Sequence, residues 1–148
     1  MNTQTSGGHQ LQTHKLAHEL LEKRAQLWTL REQLVKLQPY TQGQALEPLV
    51  RRFCQELIDY ISLEHFGIFH HLLNSGEQDG HMVELAGEIY PRLAETTHAA
   101  LDFNDQCEAF SAEDLRRELP AELEALGDGL ALRVELEDRL IAGMTDGL

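Results

Sequence analysis

Cysteine is scarce in this sequence, and its placement excludes two common roles. The chain of 148 residues contains only Cys54 and Cys107, which are far apart in the sequence. Two isolated cysteines provide neither a disulfide framework nor the Cys-x-x-Cys spacing of a zinc site. We therefore expect two buried thiols in a reducing compartment such as the cytoplasm.

Basic residues are also few, and long apolar runs are missing. Lys and Arg total 12 against 25 Asp and Glu, which gives a formal net charge of −13 at pH 7. Such a field repels nucleic acid and anionic membranes and favours encounter with a basic partner. No apolar run approaches the ~18 residues of a membrane span, and the polar N-terminal residues do not form a secretory signal. The sequence therefore predicts a cytoplasmic protein that binds neither nucleic acid nor membranes directly.

The motifs of several enzyme classes are missing. The sequence has no Gly-x-Ser-x-Gly elbow, no P-loop and no dinucleotide fingerprint. It also lacks the paired Glu-x-x-His motifs with which helical bundles hold two iron ions. We therefore predict no catalytic residue, no cofactor and no metal ligand.

What the sequence does contain is leucine at helical spacing, with no strand-like alternation. Behind an N-terminal tail predicted to be disordered (residues 1–9), a first helix is predicted over residues 10–38. Its apolar stripe consists of Leu16, Leu20, Leu27, Leu30, Leu34 and Leu37. Later stretches repeat this periodicity, which predicts an all-α protein, an antiparallel four-helix bundle forming a single domain over residues 10–148.

Serine and glycine mark a predicted interruption of the second helix. Ser62 competes for backbone hydrogen bonds and Gly67 weakens a helix, so two pieces are expected, about 45–61 and 63–74. A loop at about 74–80 would end this part of the chain.

Proline marks the interruptions in the second half of the chain. Pro91 is expected to separate a short helix, 81–89, from a longer one that begins at the proline. Ser111 would cap a short helical turn, and the last helix would begin at Pro120 and reach about Met144. The bundle is thus predicted to have kinked or broken second and third helices.

Arg133 and Glu137 fall near the middle of the apolar arc of the last helix. They are four residues apart, where opposite charges meet, and unpaired burial of either would be costly. Tyr60 and His65 are the candidate partners from the opposite helix. We expect a buried ion pair that fixes packing; the alternative is a functional polar cavity lined by the same four residues.

Asp59, Ser62 and Phe66 are the candidate residues for binding a partner protein. Asp59 points away from the apolar stripe and is expected to be exposed, and Phe66 lies at the predicted kink. Exposed aromatic residues are frequent interface anchors. An anion, a hydroxyl group and an apolar ring on one patch would suit a basic helical partner.

The stretch from Phe53 to Leu73, FCQELIDYISLEHFGIFHHLL, resembles the middle of the Rsd/AlgQ family of bacterial anti-sigma regulators. It has Phe-Cys-Gln followed by Asp-Tyr-Ile-Ser-x-x-His-Phe-x-Ile in the family's order and spacing, with Phe69 where the family usually has Tyr. The segments Leu85-Ala86-x-x-Ile89-Tyr90-Pro91-x-Leu93 and Arg133-x-x-Leu136-Glu137-Asp138-x-Leu140-Ile141 are also similar to family segments.

This resemblance implies a protein that binds the C-terminal DNA-binding region of the primary sigma factor and keeps that factor from core RNA polymerase. It also implies possible partners in the phosphocarrier HPr and a (p)ppGpp hydrolase. Two alternatives remain open: a ligand- or metal-binding helical bundle, and an interaction module for a partner other than sigma.

Overall fold

The computed structural model describes residues 3–71 and 80–145. Four long helices make up almost all of this part of the chain: α1 (Thr3–Lys36), α2 (Leu46–Ser62), α3 (Gly80–Ala109) and α4 (Ala112–Thr145). A π-helical segment, Leu63–Phe69, follows α2 directly and is called the π segment below. The described ranges contain no strand, and the prediction of an all-α four-helix bundle is confirmed.

The four helices form a ring around one apolar core. The most extensive packing joins α1 to α2 and α3 to α4, while contacts of α1 with α4 and of α2 with α3 close the ring. Helices α2 and α4 therefore lie diagonally across the bundle. Phe53 and Phe103 bring α2 and α3 together edge to face, with ring centroids 5.7 Å apart.

The first helix begins at Thr3, before the predicted start near Gln10. Two predictions stay predictions: the disorder of residues 1–9 and the single domain over residues 10–148.

The second helix changes its winding where the sequence predicts a division into two pieces: α2 ends at Ser62 and the π segment begins at Leu63. The backbone passes from α2 through Leu63, with φ of −59° and ψ of −44°, into the π segment without leaving the right-handed helical region. Gly67 does not break the helix; a Cβ atom there would lie 3.3 Å from side-chain atoms of both Leu16 and Leu63. The glycine therefore allows close packing against α1. The loop predicted at 74–80 falls almost wholly in residues 72–79, outside the described ranges.

Proline does not end a helix at either predicted position. Pro91 lies within α3 and Pro120 within α4, so the separate short helices predicted before them are wrong. Pro91 and the preceding Gly87, whose carbonyl loses its helical donor, are both exposed, whereas Ile89 and Leu93 are buried. Water can therefore satisfy the freed carbonyl while buried residues on both sides of the proline hold the helix together.

The last helix begins directly after Ser111, the residue predicted to cap only a short helical turn. The backbone N–H of Asp114 donates to Oγ of Ser111 at 3.1 Å, and Glu113 and Asp114 lie in the first turn. Acidic side chains stabilise this end of a helix. The cap therefore starts one long helix that continues through Pro120.

Candidate functional site

A group of polar side chains crosses the core and joins all four helices. We name it the Arg133 cluster; it consists of Tyr60 from α2, Glu64 from the π segment, Thr96 and Thr97 from α3, Arg133 and Glu137 from α4, and Arg24 of α1 at its edge. Its central members link α2 to the diagonally opposite α4. The cluster therefore sets the distance between α2 and α4, which are not neighbours in the ring.

Arg133 is the centre of this cluster and is only 3% exposed. Its Nε donates to Oε2 of Glu137 at 3.2 Å, and its Nη1 donates to the hydroxyl oxygens of Thr96 at 3.0 Å and Thr97 at 2.9 Å. Nη2 lies 2.5 Å from Oε1 of Glu64. The guanidinium carbon also lies 5.2 Å from the centre of the Tyr60 ring. These contacts offset the desolvation that burial of a guanidinium entails.

Glu137 receives donors from three helices. The hydroxyl group of Tyr60 donates to its Oε2, Nε of Arg133 donates to the same oxygen, and Nη1 of Arg24 lies 3.4 Å from Oε1. Arg24 makes a closer ion pair, at 2.9 Å, with the exposed Asp138. The buried pair of Arg133 and Glu137 is thus surrounded by further polar groups, with Tyr60 in the position expected for it.

Burial and neighbouring charges shift the pKa values in this cluster. Burial, followed by the charges of Glu137 and Glu64, raises the pKa of Tyr60. Burial also raises the pKa of Glu64 well above its ordinary value, and the nearby Glu137 adds to this effect. Burial lowers the pKa of Arg133, but the charges of Glu64, Tyr60 and Glu137 more than offset this effect and leave it raised. The arginine is therefore the fixed charge of the cluster, and Glu64 holds its proton to a higher pH than an exposed glutamate does.

The prediction that His65 is a buried partner of Arg133 was wrong. His65 is exposed, and the preceding residue, Glu64, is fully buried and takes that place. The His65 ring instead contacts Phe66, with centroids 4.8 Å apart and the planes nearly perpendicular. The helix thus turns an acid inward and a histidine outward.

The residues predicted to bind a partner lie along α2 and the π segment. Phe66 is 72% exposed, whereas Ser62 is half-buried. Asp59, predicted to be exposed, is also half-buried, and its Oδ1 accepts a hydrogen bond from the side-chain amide of Gln55 at 3.0 Å. The fold thus brings the three residues onto one continuous helix and leaves the aromatic ring the most accessible.

The two cysteines meet although they are far apart in sequence. Both are free; Cys54 is buried and Cys107 is half-buried. They line a groove of about 700 Å³ between α2 and α3, together with residues such as Arg51 and Phe110. The proximity of Cys107 lowers the pKa of Cys54.

The histidines that the structure describes do not assemble into a recognisable metal centre. The chain contains one unpaired Glu-x-x-His sequence, Glu95 to His98, and both of its ends are exposed on α3. Within residues 3–71 and 80–145, no group of three or more His, Cys, Asp or Glu side chains has an arrangement that could hold a metal ion. In the same ranges, no helix is long and apolar enough to cross a membrane.

Comparison with known proteins gives a consistent result over nearly the whole chain. Residues 2–145 match the family described as "Regulator of RNA polymerase sigma(70) subunit, Rsd/AlgQ". A protein named "Regulator of sigma D" from Salmonella paratyphi A is 31% identical over 139 residues, which cover 92% of this chain and 85% of the relative. Proteins of the same name from Salmonella paratyphi B and Salmonella schwarzengrund are 30% identical over the same shares of each chain. No solved structure matches this chain significantly.

Proposed function

This chain belongs to the Rsd/AlgQ family of regulators of the sigma(70) subunit of RNA polymerase, and from that membership we propose how it acts. It binds the C-terminal, DNA-binding region of the primary sigma factor in the cytoplasm and keeps that factor from core RNA polymerase. The action is stoichiometric binding rather than catalysis. Core polymerase is thereby left free for alternative sigma factors.

The observation that supports a binding face best is the two-sided character of α2 and the π segment. Their inner side carries Tyr60 and Glu64, which are tied to the diagonal helix α4 through Glu137 and Arg133. Their outer side carries Asp59, Ser62 and the exposed Phe66. Because the inner side is held by polar contacts across the core, the outer side is presented as a rigid surface, which reduces the entropy lost on binding.

The chemistry of this face suits a basic helical partner. The net charge of −13 attracts a basic DNA-binding domain over long range and speeds encounter. Phe66 offers an apolar anchor that a partner can enclose, and such aromatic anchors carry much of the free energy of binding in many interfaces. We propose that HPr and a (p)ppGpp hydrolase are further partners, which would compete with sigma if they use the same face.

Two substitutions on this face test the proposal by direct binding to the isolated C-terminal domain of the primary sigma factor. Asp59→Lys places a positive charge against a basic partner and is expected to weaken binding about tenfold or more. Phe66→Ala removes the anchor and is expected to weaken binding by about 2 kcal/mol.

The control is Asp128→Lys, which makes the same charge change as Asp59→Lys. Asp128 is exposed on α4, the helix diagonal to α2, so this variant changes net charge without changing the proposed face. Circular dichroism would establish that all three variants are folded. If Asp59→Lys and Phe66→Ala bind sigma as tightly as Asp128→Lys does, the proposed face is wrong.

A further inference from the structure

The groove between α2 and α3 brings together two residues that the proposed function does not use, Cys54 and Cys107. Both thiols are free, and both line this groove, whose volume is about 700 Å³. Cys54 belongs to α2 and Cys107 to α3. The fold therefore creates a pair of thiols that no motif in the sequence displays.

The packing of the two helices holds the thiols next to each other. Phe53 directly precedes Cys54, and Phe103 lies about one helical turn before Cys107. These two buried rings meet edge to face with centroids 5.7 Å apart, and the thiols beside them hydrogen-bond to each other. A disulfide requires two Cα atoms within about 7 Å of each other, and closely packed helices provide such a separation.

The two thiols are chemically unequal. The hydrogen bond with Cys107 lowers the pKa of Cys54, although burial acts in the opposite direction. The same hydrogen bond, followed by burial, raises the pKa of Cys107. Because the thiolate is the form of cysteine that attacks an oxidant, Cys54 is the first sulfur to react and Cys107 is the second.

The groove gives a small polar oxidant access to this pair. Cys54 is 9% exposed, and Cys107 is half-buried. The wall around them includes the polar side chains of Gln55, Asn104 and Glu108. A structural thiol enclosed in an apolar core is inert, whereas these two thiols border a polar groove that a molecule of the size of a peroxide can enter.

We propose that Cys54 and Cys107 are a site of oxidative modification, at which a peroxide forms a reversible disulfide between α2 and α3. The Cys54 thiolate attacks one peroxide oxygen, the O–O bond breaks, and the departing hydroxide takes up a proton to become water. The sulfur of Cys107 then attacks the sulfenic sulfur, the S–O bond breaks, and the hydroxyl group leaves with the Cys107 proton as a second water. The two thiols thus lose two electrons and two protons to the peroxide. A dithiol reductant reverses the step by thiol–disulfide exchange.

This disulfide would fasten the side of the ring that has the least extensive packing. Among the contacts between neighbouring helices of the ring, that of α2 with α3 is the smallest. A bond there closes a long loop and thereby restricts the unfolded chain. The oxidised protein is therefore expected to unfold at a higher urea concentration than the reduced protein. An unchanged or lower midpoint would show that the bond does not fit the native ring. The inference does not depend on the binding of sigma.

The first test treats the reduced, full-length protein with hydrogen peroxide and follows its intact mass. The expected product is a monomer that has lost two hydrogen atoms and that regains them with dithiothreitol. Digestion without reduction should release one pair of peptides joined through Cys54 and Cys107. The proposal is overturned by the absence of a reaction, by oxygen added to either cysteine without a crosslink, or by a disulfide that forms only between two molecules.

A matched control moves one thiol to another side of the same helix. Asp105 is exposed on α3, two residues before Cys107, so Asp105→Cys in the Cys107→Ser background keeps two cysteines but turns the second one away from Cys54. This variant is expected to form the internal disulfide at least about tenfold more slowly than the unaltered protein, because the two sulfurs no longer meet. Equal rates would show that the groove does not bring the thiols together, and would contradict the proposal.

Single substitutions test the order of the two steps. Cys107→Ser keeps a hydrogen-bond donor beside Cys54 and should accumulate a sulfenic acid there, which dimedone traps. Cys54→Ser leaves only Cys107, which is expected to react with peroxide at least about tenfold more slowly. Equal rates in the two variants would contradict Cys54 as the attacking sulfur. Circular dichroism would establish that both are folded, and the control at Asp105 keeps the proposal testable if Cys54→Ser is not.

Discussion

At the scale of single residues, Glu137 holds the Arg133 cluster together. It accepts hydrogen bonds from Tyr60 and Arg133 and lies within ion-pair distance of Arg24, and its side chain is fully buried. A buried ion pair adds little net stability, but removal of one partner leaves the other charge uncompensated in the core. The carboxylate therefore matters for the stability of the fold rather than for its surface.

Glu137→Ala is expected to lower the free energy of unfolding by about 3–5 kcal/mol, because it leaves Arg133 buried without its carboxylate. Urea denaturation followed by circular dichroism measures this loss. Asp138→Ala serves as the control, since it removes only the exposed pair with Arg24 and should change stability by about 1 kcal/mol or less. If Glu137→Ala and Asp138→Ala lower stability equally, the buried contacts of Glu137 are not the reason for the loss.

Glu64 should make the stability of the protein depend on pH. Burial, then Glu137, raises its pKa in the folded protein above the ordinary value of 4.5. Between the two pKa values the folded state binds more protons than the unfolded state, so this contribution is full below the unfolded pKa and is lost as the pH rises. Relative to Glu64→Gln, the unaltered protein is expected to lose up to about 1.4 kcal/mol of stability per pH unit above that value.

Urea denaturation of both proteins at about pH 5, 6 and 7 checks this trend. Because every other titratable group is shared by the two proteins, the difference between them isolates the carboxyl of Glu64 and its coupling to Glu137. A difference that does not change over this range would mean that Glu64 is ionised in the fold at low pH.

The sequence contains enough information to place Glu64 rather than His65 in the core. Glu64 follows Leu57 by seven positions and Ile61 by three and precedes Ile68 by four, which is the spacing of one helix face. Periodicity thus places the acid inward, and His65 is turned away from that face. Only the structure shows how Arg133 accommodates both Glu64 and Glu137.

At the scale of helices, α1 and α4 are joined by an arginine that lies over a glycine. Nε and Nη2 of Arg31 donate to the carbonyl oxygen of Leu123 at 3.3 and 2.9 Å, and its guanidinium also stacks on Trp28. A Cβ atom at Gly127 would occupy the space of that guanidinium. Gly129, two positions later on the same helix, has nothing within 4 Å of such an atom.

This contrast predicts opposite results for two equivalent substitutions. Gly129→Ala is expected to raise the free energy of unfolding by up to about 1 kcal/mol through helix propensity alone. Gly127→Ala is expected to lower stability, because displacement of Arg31 loses charged hydrogen bonds worth about 1.5–3 kcal/mol. In an Arg31→Ala background, Gly127→Ala should stabilise as Gly129→Ala does. If Gly127→Ala still destabilises the protein in the Arg31→Ala background, displacement of Arg31 is not the cause.

The sequence predicts the number of helices better than it predicts where each helix begins and ends. Leucine periodicity predicts the four helices, whereas local signals at Pro91 and Pro120 predict breaks that do not form. The cost of a proline within a helix is about 3 kcal/mol. Burial of the apolar residues before and after it, Ile89 and Leu93 at Pro91 and Leu119 and Leu123 at Pro120, offsets this cost. Ser111 succeeds as a signal because its hydroxyl acts at a helix start, where no packing opposes it.

At the scale of the whole molecule, a ring of four helices is held across its centre by polar contacts and is surrounded by negative charge. The Arg133 cluster ties α2 and the π segment to α4, and the net charge of −13 gives the exterior one dominant sign. Membership of the Rsd/AlgQ family connects this design with regulation of sigma. The family resemblance was visible in the sequence, whereas the groove that brings Cys54 and Cys107 together required the fold, because it lies between two helices that are separated in sequence.

The most direct test of the account is calorimetric titration of this protein with the isolated C-terminal domain of the host's primary sigma factor at low and high salt. The account predicts saturable one-to-one binding that weakens as the salt concentration rises, because screening reduces the attraction between an acidic and a basic surface. The absence of binding at low salt would contradict the proposed function and would show that this member of the family has a different partner.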